Sequence, residues 1–228
     1  MLFLFCVFLS LYFLFFSVTA FRLFLLFLGF IGLMYSLLLV LHLSTLVSIF
    51  NYASAGYKFE FLSLTYLFLV DGISIYFILL TVLLFILCVL VAWNLKYKLR
   101  EFLILLLSIN IFLIHVFAIS DLIFFYIFFE ALLIPMFLLI GVWGSRERKI
   151  SAAYQFFLYT LFGSLFMLIA IFFIYSHYGT TDFRVFTFFS ITIYRQLLLW
   201  LLLFFAIAVK VPMFPVHIWL PEAHVEAP

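Results

Sequence analysis

The sequence predicts an all-α fold that crosses a membrane several times, and three observations carry that prediction. Of 228 residues, 71% are hydrophobic and 9% charged, against about a quarter charged in an ordinary soluble domain. The apolar residues fall in long runs broken by short charged segments. Since ~20 apolar residues cross the hydrocarbon core, the chain has length for about seven spans. Two ionisable residues, Glu130 and Lys210, sit inside such runs.

Charges read as punctuation place the helices near 2–19, 21–47, 71–95, 102–119, 121–143, 150–176 and 196–218. The first run has Val18 and Ala20 before a conceivable cleavage site, but it lacks a positive n-region and a second apolar run follows at once. It therefore reads as a span rather than a signal peptide. Segments 48–70 and 177–195 alone have mixed polarity, and His177-Tyr-Gly-Thr-Thr-Asp182 in the latter reads as a turn. Residues 1–70 form two helices and a loop, and 71–228 the remaining core helices. No soluble domain fits between spans, so any chemistry lies in or beside the bilayer.

Basic residues after the first, third and fifth helices are Arg22; Lys96, Lys98 and Arg100; and Arg146, Arg148 and Lys149. Those after the even helices are Lys58, Arg184 and Arg195. The first set therefore faces the cytoplasm-like side, the matrix in a mitochondrion. A net charge of +2 with no basic block argues against nucleic acid. Cys6 and Cys88, the two cysteines, lie in apolar runs with no CxxC pair, and no GxGxxG or P-loop pattern is present. Redox groups, if any, belong to partners. The frequent Phe (37) and Tyr (13) fit an AT-rich, organellar coding bias.

Glu130 lies nine residues from Asp121 and sixteen from Arg146, near mid-span. A charged residue at the centre of a span costs ~2.5–3.5 kcal/mol on insertion scales, so such a residue normally has a partner and a function. The plainer reading is a protonated acid hydrogen-bonded between helices, for instance to Tyr126 one turn earlier. Pro135 removes the amide that would serve the Ala131 carbonyl, predicting a kink or a water site beside the carboxyl.

Lys210 closes the run Leu201-Leu-Leu-Phe-Phe-Ala-Ile-Ala-Val-Lys and precedes Val211-Pro-Met-Phe-Pro215. Pro212 and Pro215 would free the carbonyls of Ala208 and Val211, the mark of a broken transmembrane helix near 196–218. Snorkelling of the lysine to the interface is the competing reading, and the apolar stretch from Val211 to Leu220 weighs against it. Burial and a nearby carboxylate push a lysine's proton affinity in opposite directions. A lysine so placed changes charge as its neighbours move, as a proton relay requires. The spacing of His217, Glu222, His224 and Glu226 is irregular for a metal site. His217, His224 and the mid-helix His115 are secondary candidates for passing protons. Ser151, Gln155, Tyr159 and Gly163, with Thr160 and Ser164 beside them, form a stripe that reads as a helix contact before a water wire.

The pattern Lys-x-Pro-x-x-Pro-x-His-x-Trp-Leu-Pro-x-Ala-His-x-Glu-Ala-Pro over 210–228 resembles the chain 4 family of respiratory NADH:ubiquinone oxidoreductase (complex I), more than its sister chains 2 and 5. Phe129-Glu-Ala-Leu-Leu-Ile-Pro135, Trp143-Gly144 with Glu147-Arg148, Tyr159-Thr-Leu-Phe-Gly-Ser164 and, more weakly, Val70-Asp-Gly-Ile-Ser74 match in the same order. The resemblance covers about 70–228. It implies a partial antiporter-like fold, truncated before the family's eighth helix, in the mitochondrial inner membrane. It further implies that Glu130 and Lys210 are a paired proton relay. FMN, iron–sulfur clusters and ubiquinone would be carried by the complex and not by this chain. Implied partners are other membrane-arm subunits, membrane lipids and a separate chain for the C-terminal half, the expectation being a split subunit. A multisubunit cation/proton antiporter, a membrane-bound hydrogenase and an inert scaffold are the rival readings.

Overall fold

The computed structural model describes residues 17–43, 52–53, 57–59, 64–186 and 191–227. The expected span over 2–19 therefore lies almost wholly outside the described residues. In chain order the elements are α1 (Val18–Leu43), β1 (Tyr52–Ala53), β2 (Tyr57–Phe59), β3 (Leu64–Tyr66), β4 (Leu69–Val70), α2 (Gly72–Val91), α3 (Leu99–Ala118), α4 (Leu122–Ala131), α5 (Leu133–Trp143), α6 (Lys149–Tyr178), α7 (Phe183–Phe186), α8 (Ile193–Lys210) and α9 (Trp219–Glu226). Six stretches among the described residues are long and apolar enough to span a membrane, with α4 and α5 counted together as one. Helices dominate because a chain in lipid must satisfy its backbone groups within the segment.

Two compact units divide the chain: Met1–Ala53 with Leu69–Ala118, and Ser54–Phe68 with Ile119–Pro228. In the first, α1, α2 and α3 pack together, and β1 pairs antiparallel with β4. Gly29 lets α1 approach α2, since a Cβ there would stand 2.7 Å from the Ile86 side chain. Small residues at such crossings are what bring helices close in a membrane. Asp71 starts α2 with a capping box, accepting the Ser74 N–H at 2.7 Å while the Ser74 hydroxyl oxygen accepts the Asp71 N–H at 2.9 Å. Two of the helix's orphan amides are thereby accounted for.

The second unit is built on α6, which packs against α4, α5, α8 and α9. One cluster joins Leu122, Met167, Ile171, Ile174, Leu199 and Ala206, and a second joins Leu133, Ile140, Ala152, Phe156, Trp219 and Ala223. β2 and β3 pair antiparallel within it.

Three boundaries depart from the sequence reading. The second expected helix begins at Val18, not 21, so Arg22 lies in its opening turns. The expected helix over 121–143 is interrupted at Leu132. The expected run over 196–218 stops being helical at Lys210, and residues 211–218 are turns before helix resumes at Trp219. In both of the latter cases proline is the cause, because it lacks the N–H that would continue the ladder.

Candidate functional site

Both helix breaks meet at one place in the second unit. Pro135 follows the interruption at Leu132, and across it Leu132 N–H reaches the Phe128 carbonyl at 3.3 Å and Met136 N–H reaches Leu132 at 3.3 Å. The last carbonyls of α4 are short of helical donors. Lys210 Nζ takes one of them, donating to the Phe129 carbonyl at 3.1 Å while lying 2.7 Å from the centroid of the Phe129 ring. The carbonyl that meets the lysine is thus Phe129's, two residues before the Ala131 carbonyl singled out from sequence.

Glu130 Oε1 stands 3.9 Å from Lys210 Nζ, and the two side chains are 20% and 19% exposed. That distance is an ion pair without a direct hydrogen bond. Oε1 is buried and has no hydrogen-bond partner. Ser164 on α6 neighbours both Glu130 and Tyr126 as a hydrogen-bonding group. Its own proton goes to the Leu161 carbonyl at 2.8 Å, so toward those two its oxygen acts as an acceptor.

The position of Lys210 is fixed from three sides. Val211 N–H reaches Ile207 O at 2.8 Å, and Met213 N–H reaches Ala208 O at 2.9 Å. The Ala208 carbonyl, expected to be freed by Pro212, is therefore re-satisfied one residue further on. Trp219 Nε1 donates to the Val209 carbonyl at 2.9 Å, tying α9 back to the end of α8. Gly163 on α6 faces Val209, where a Cβ would come within 2.7 Å of the valine Cβ. Of the polar stripe on α6, Gly163, Thr160 and Ser164 are buried and Ser151 is exposed, so its inner part is a helix contact. Pro215 lies in the turn region after Lys210.

The secondary candidates are dispersed. His115 belongs to the first unit, is 5% exposed and places Nδ1 2.7 Å from the Ile111 carbonyl. His224 is exposed on α9. His217 is half-buried, and its Nδ1 is buried without a hydrogen-bond partner. Glu226 accepts the Arg146 N–H at 3.2 Å, docking α9 onto the α5–α6 loop. Among the described residues no three His, Cys, Asp or Glu side chains cluster as metal ligands.

Residues 119–228 match the family described as NADH:quinone oxidoreductase/Mrp antiporter, TM. The chain is 51% identical over 196 residues to NADH-ubiquinone oxidoreductase chain 4 of Chondrus crispus, covering 86% of this chain and 40% of that one. It resembles the N-terminal half of chain 4. The chain 4 of Acanthamoeba castellanii is 59% identical over 159 residues, covering 69% of this chain and 32% of its own. The chain thus spans about two fifths or less of the length of these relatives. A chain in the structure of respiratory complex I from Thermus thermophilus with bound NADH superimposes with a TM-score of 0.79 at 30% identity, over 90% of this chain and 43% of that one. A chain of the archaeal membrane-bound sulfane sulfur reductase superimposes with a TM-score of 0.81 at 18% identity, over 93% and 44%, and shares the fold. The chain is a multi-pass helical membrane protein with an antiporter-like fold.

Proposed function

We propose that this chain is a portion of a proton-translocating membrane-arm subunit of mitochondrial NADH:ubiquinone oxidoreductase, in which Glu130 and Lys210 relay the proton. The observation that supports it best is a buried carboxylate oxygen without a hydrogen-bond partner, 3.9 Å from a buried ammonium. Intramembrane acids and bases so placed mark ion and proton pathways. The gap is too long for direct transfer and short enough to close by a small side-chain rotation or one intervening water. An ammonium proton passing to the carboxylate leaves a neutral amine and a carboxylic acid. The Phe129 carbonyl holds the lysine in either state, because amine and ammonium both donate. A protonated Glu130 can in turn donate to Ser164, so the acid has a bonded state that its ionised form lacks.

FMN, iron–sulfur clusters and ubiquinone would be held by other subunits and would supply the electron transfer that drives the relay. The membrane-arm neighbours follow from the same reading, and the relatives' longer chains carry what a full path would need beyond the matched segment. Between complex I and a cation/proton antiporter, the identity to chain 4 sequences favours the former.

The test is Glu130→Gln in the assembled complex within sealed vesicles. Proton uptake per NADH oxidised is expected to fall at least about tenfold, at the lower end of what positioned acid–base groups contribute, with assembly intact on a native gel. Unaltered pumping in an assembled variant would leave the chain as a scaffold.

A further inference from the structure

We propose that a cleft in the first unit, between the opening of α1 and the α2–α3 connection, binds the phosphate headgroup of an anionic membrane phospholipid. The cleft, of about 460 Å³, is lined by Arg22, Lys96, Lys98 and Arg100 with a single acid, Glu101. Four cations against one carboxylate leave it strongly electropositive. Glu101 is engaged with Lys98 alone, at 3.7 Å, and both are exposed.

Arg22 is held as a fixed recognition group. Its Nη2 donates to the Leu95 carbonyl at 3.3 Å and its guanidinium carbon lies 5.2 Å from the centre of the Trp93 ring. Its Nε is buried with no hydrogen-bond partner, which leaves a donor that a phosphate oxygen would satisfy. Lys98 has a left-handed backbone (φ 45), the turn that starts the 20-residue α3. The positive end of that helix opens at Leu99 in the cleft wall and adds to the attraction for an anion.

A lipid is favoured over a soluble anion by the level at which the cleft lies. Three membrane-spanning segments begin or end there, at Val18, Asn94 and Leu99. Trp93 and Tyr97 beside it are the side chains that settle at a bilayer interface. On the hydrocarbon side, Leu23, Leu90 and Val91 are exposed, Val91 to 81%, and give acyl chains an apolar surface to lie along. Basic pockets between transmembrane helices on the matrix-like side are suited to acidic headgroups.

The test uses the assembled complex in phosphatidylcholine vesicles carrying trace phosphatidylglycerol with a photoactivatable acyl chain, or phosphatidylcholine with the same chain. Adducts are mapped by mass spectrometry. The acidic probe is expected to label the segments around Arg22 and Lys96 in excess of the neutral one. Lys96→Gln with Lys98→Gln is expected to cut that labelling about fivefold for each charge removed, and Lys96→Arg with Lys98→Arg to keep it, which controls for misassembly. Equal labelling by both probes, or labelling unchanged in the Gln variant, overturns the proposal. Competition by inorganic phosphate overturns it in favour of a soluble-anion site. Cross-linking of these lysines to an acidic segment of a neighbouring subunit in place of lipid overturns it in favour of a protein contact.

Discussion

Two acids in the second unit, Asp121 and Glu130, lie nine residues apart on the same span and are treated in opposite ways. Asp121 is 1% exposed, and its Oδ1 accepts the Ile123 N–H at 2.9 Å and the Thr181 hydroxyl at 2.8 Å. The backbone around it is closed by Leu122 N–H to Thr181 O at 3.0 Å and Phe183 N–H to Ser120 O at 3.1 Å. Next to it, Asp182 is clasped by the Arg184 guanidinium. Glu130 has a lysine at arm's length and an oxygen with nothing bonded to it. A fully satisfied buried acid serves to fix a helix end and a loop. An under-satisfied one is held for something that happens to it.

The largest effect that separates them is expected from Lys210→Met. Removing one member of a buried ion pair leaves the other unmatched, and here it also strips the Phe129 carbonyl of its donor, for a loss of about 3 kcal/mol. The complex should show a lowered melting point for this subunit and reduced assembly. Combining it with Glu130→Gln should restore most of the stability and none of the pumping. Recovery of both together would mean that the pair serves stability alone.

Gly163→Ala probes how the pair is held rather than the pair itself. The new Cβ would meet Val209 at 2.7 Å, and overpacking of this kind costs about 1–3 kcal/mol. Val209→Ala in the same chain should relieve it, seen as a recovered melting temperature and pumping ratio. If Gly163→Ala is silent, α6 and α8 have room to spare and the glycine is not what brings Lys210 to Glu130.

Asp121→Ala should remove an N-cap and a loop tie for about 1–2 kcal/mol, while the proton-to-NADH ratio of the assembled complex stays at the wild-type value. A drop in that ratio would erase the contrast between the two acids.

The span count and the pairing of Glu130 with Lys210 were legible because both depend on one-dimensional signals: apolar run length, and charges where charge is costly. The ends of the breaks were not. Proline marks where a donor is missing, but which carbonyl is then claimed depends on what packs nearby. Lys210 took Phe129's rather than Ala131's, and Met213 re-bonded Ala208. Ser164 carried a signal, lying in the polar stripe of α6 beside Gly163, yet only the packing of α6 on α4 turns it toward Glu130. Trp219 as a cap for Val209, and Glu226 as a tie to Arg146, had no local signal, because their partners lie ten and eighty residues away. The capping box at Asp71 was in plain sight: Val70-Asp-Gly-Ile-Ser74 stood out as a family motif, and its physical content is an Asp and a Ser three apart at a helix start.

That capping box gives the smallest effect, and the only one that follows from pH. The Ser74 hydroxyl bonded to it holds the Asp71 carboxyl below the usual carboxylate range, against an opposing push from partial burial. The folded state therefore prefers the ionised form, and its contribution is complete above the unfolded value of about 3.9. It is lost as pH falls through the lower, folded value. Asn caps a helix about as well as ionised Asp and does not titrate. Asp71→Asn should therefore match the wild type in melting temperature at neutral pH and pull ahead below about pH 4, by under about 1 kcal/mol. Melting curves of the two, taken side by side across the acid range, would show parallel lines if the cap were unformed. A divergence confined to acid would mark Asp71 as a satisfied acid like Asp121, one whose charge serves the fold.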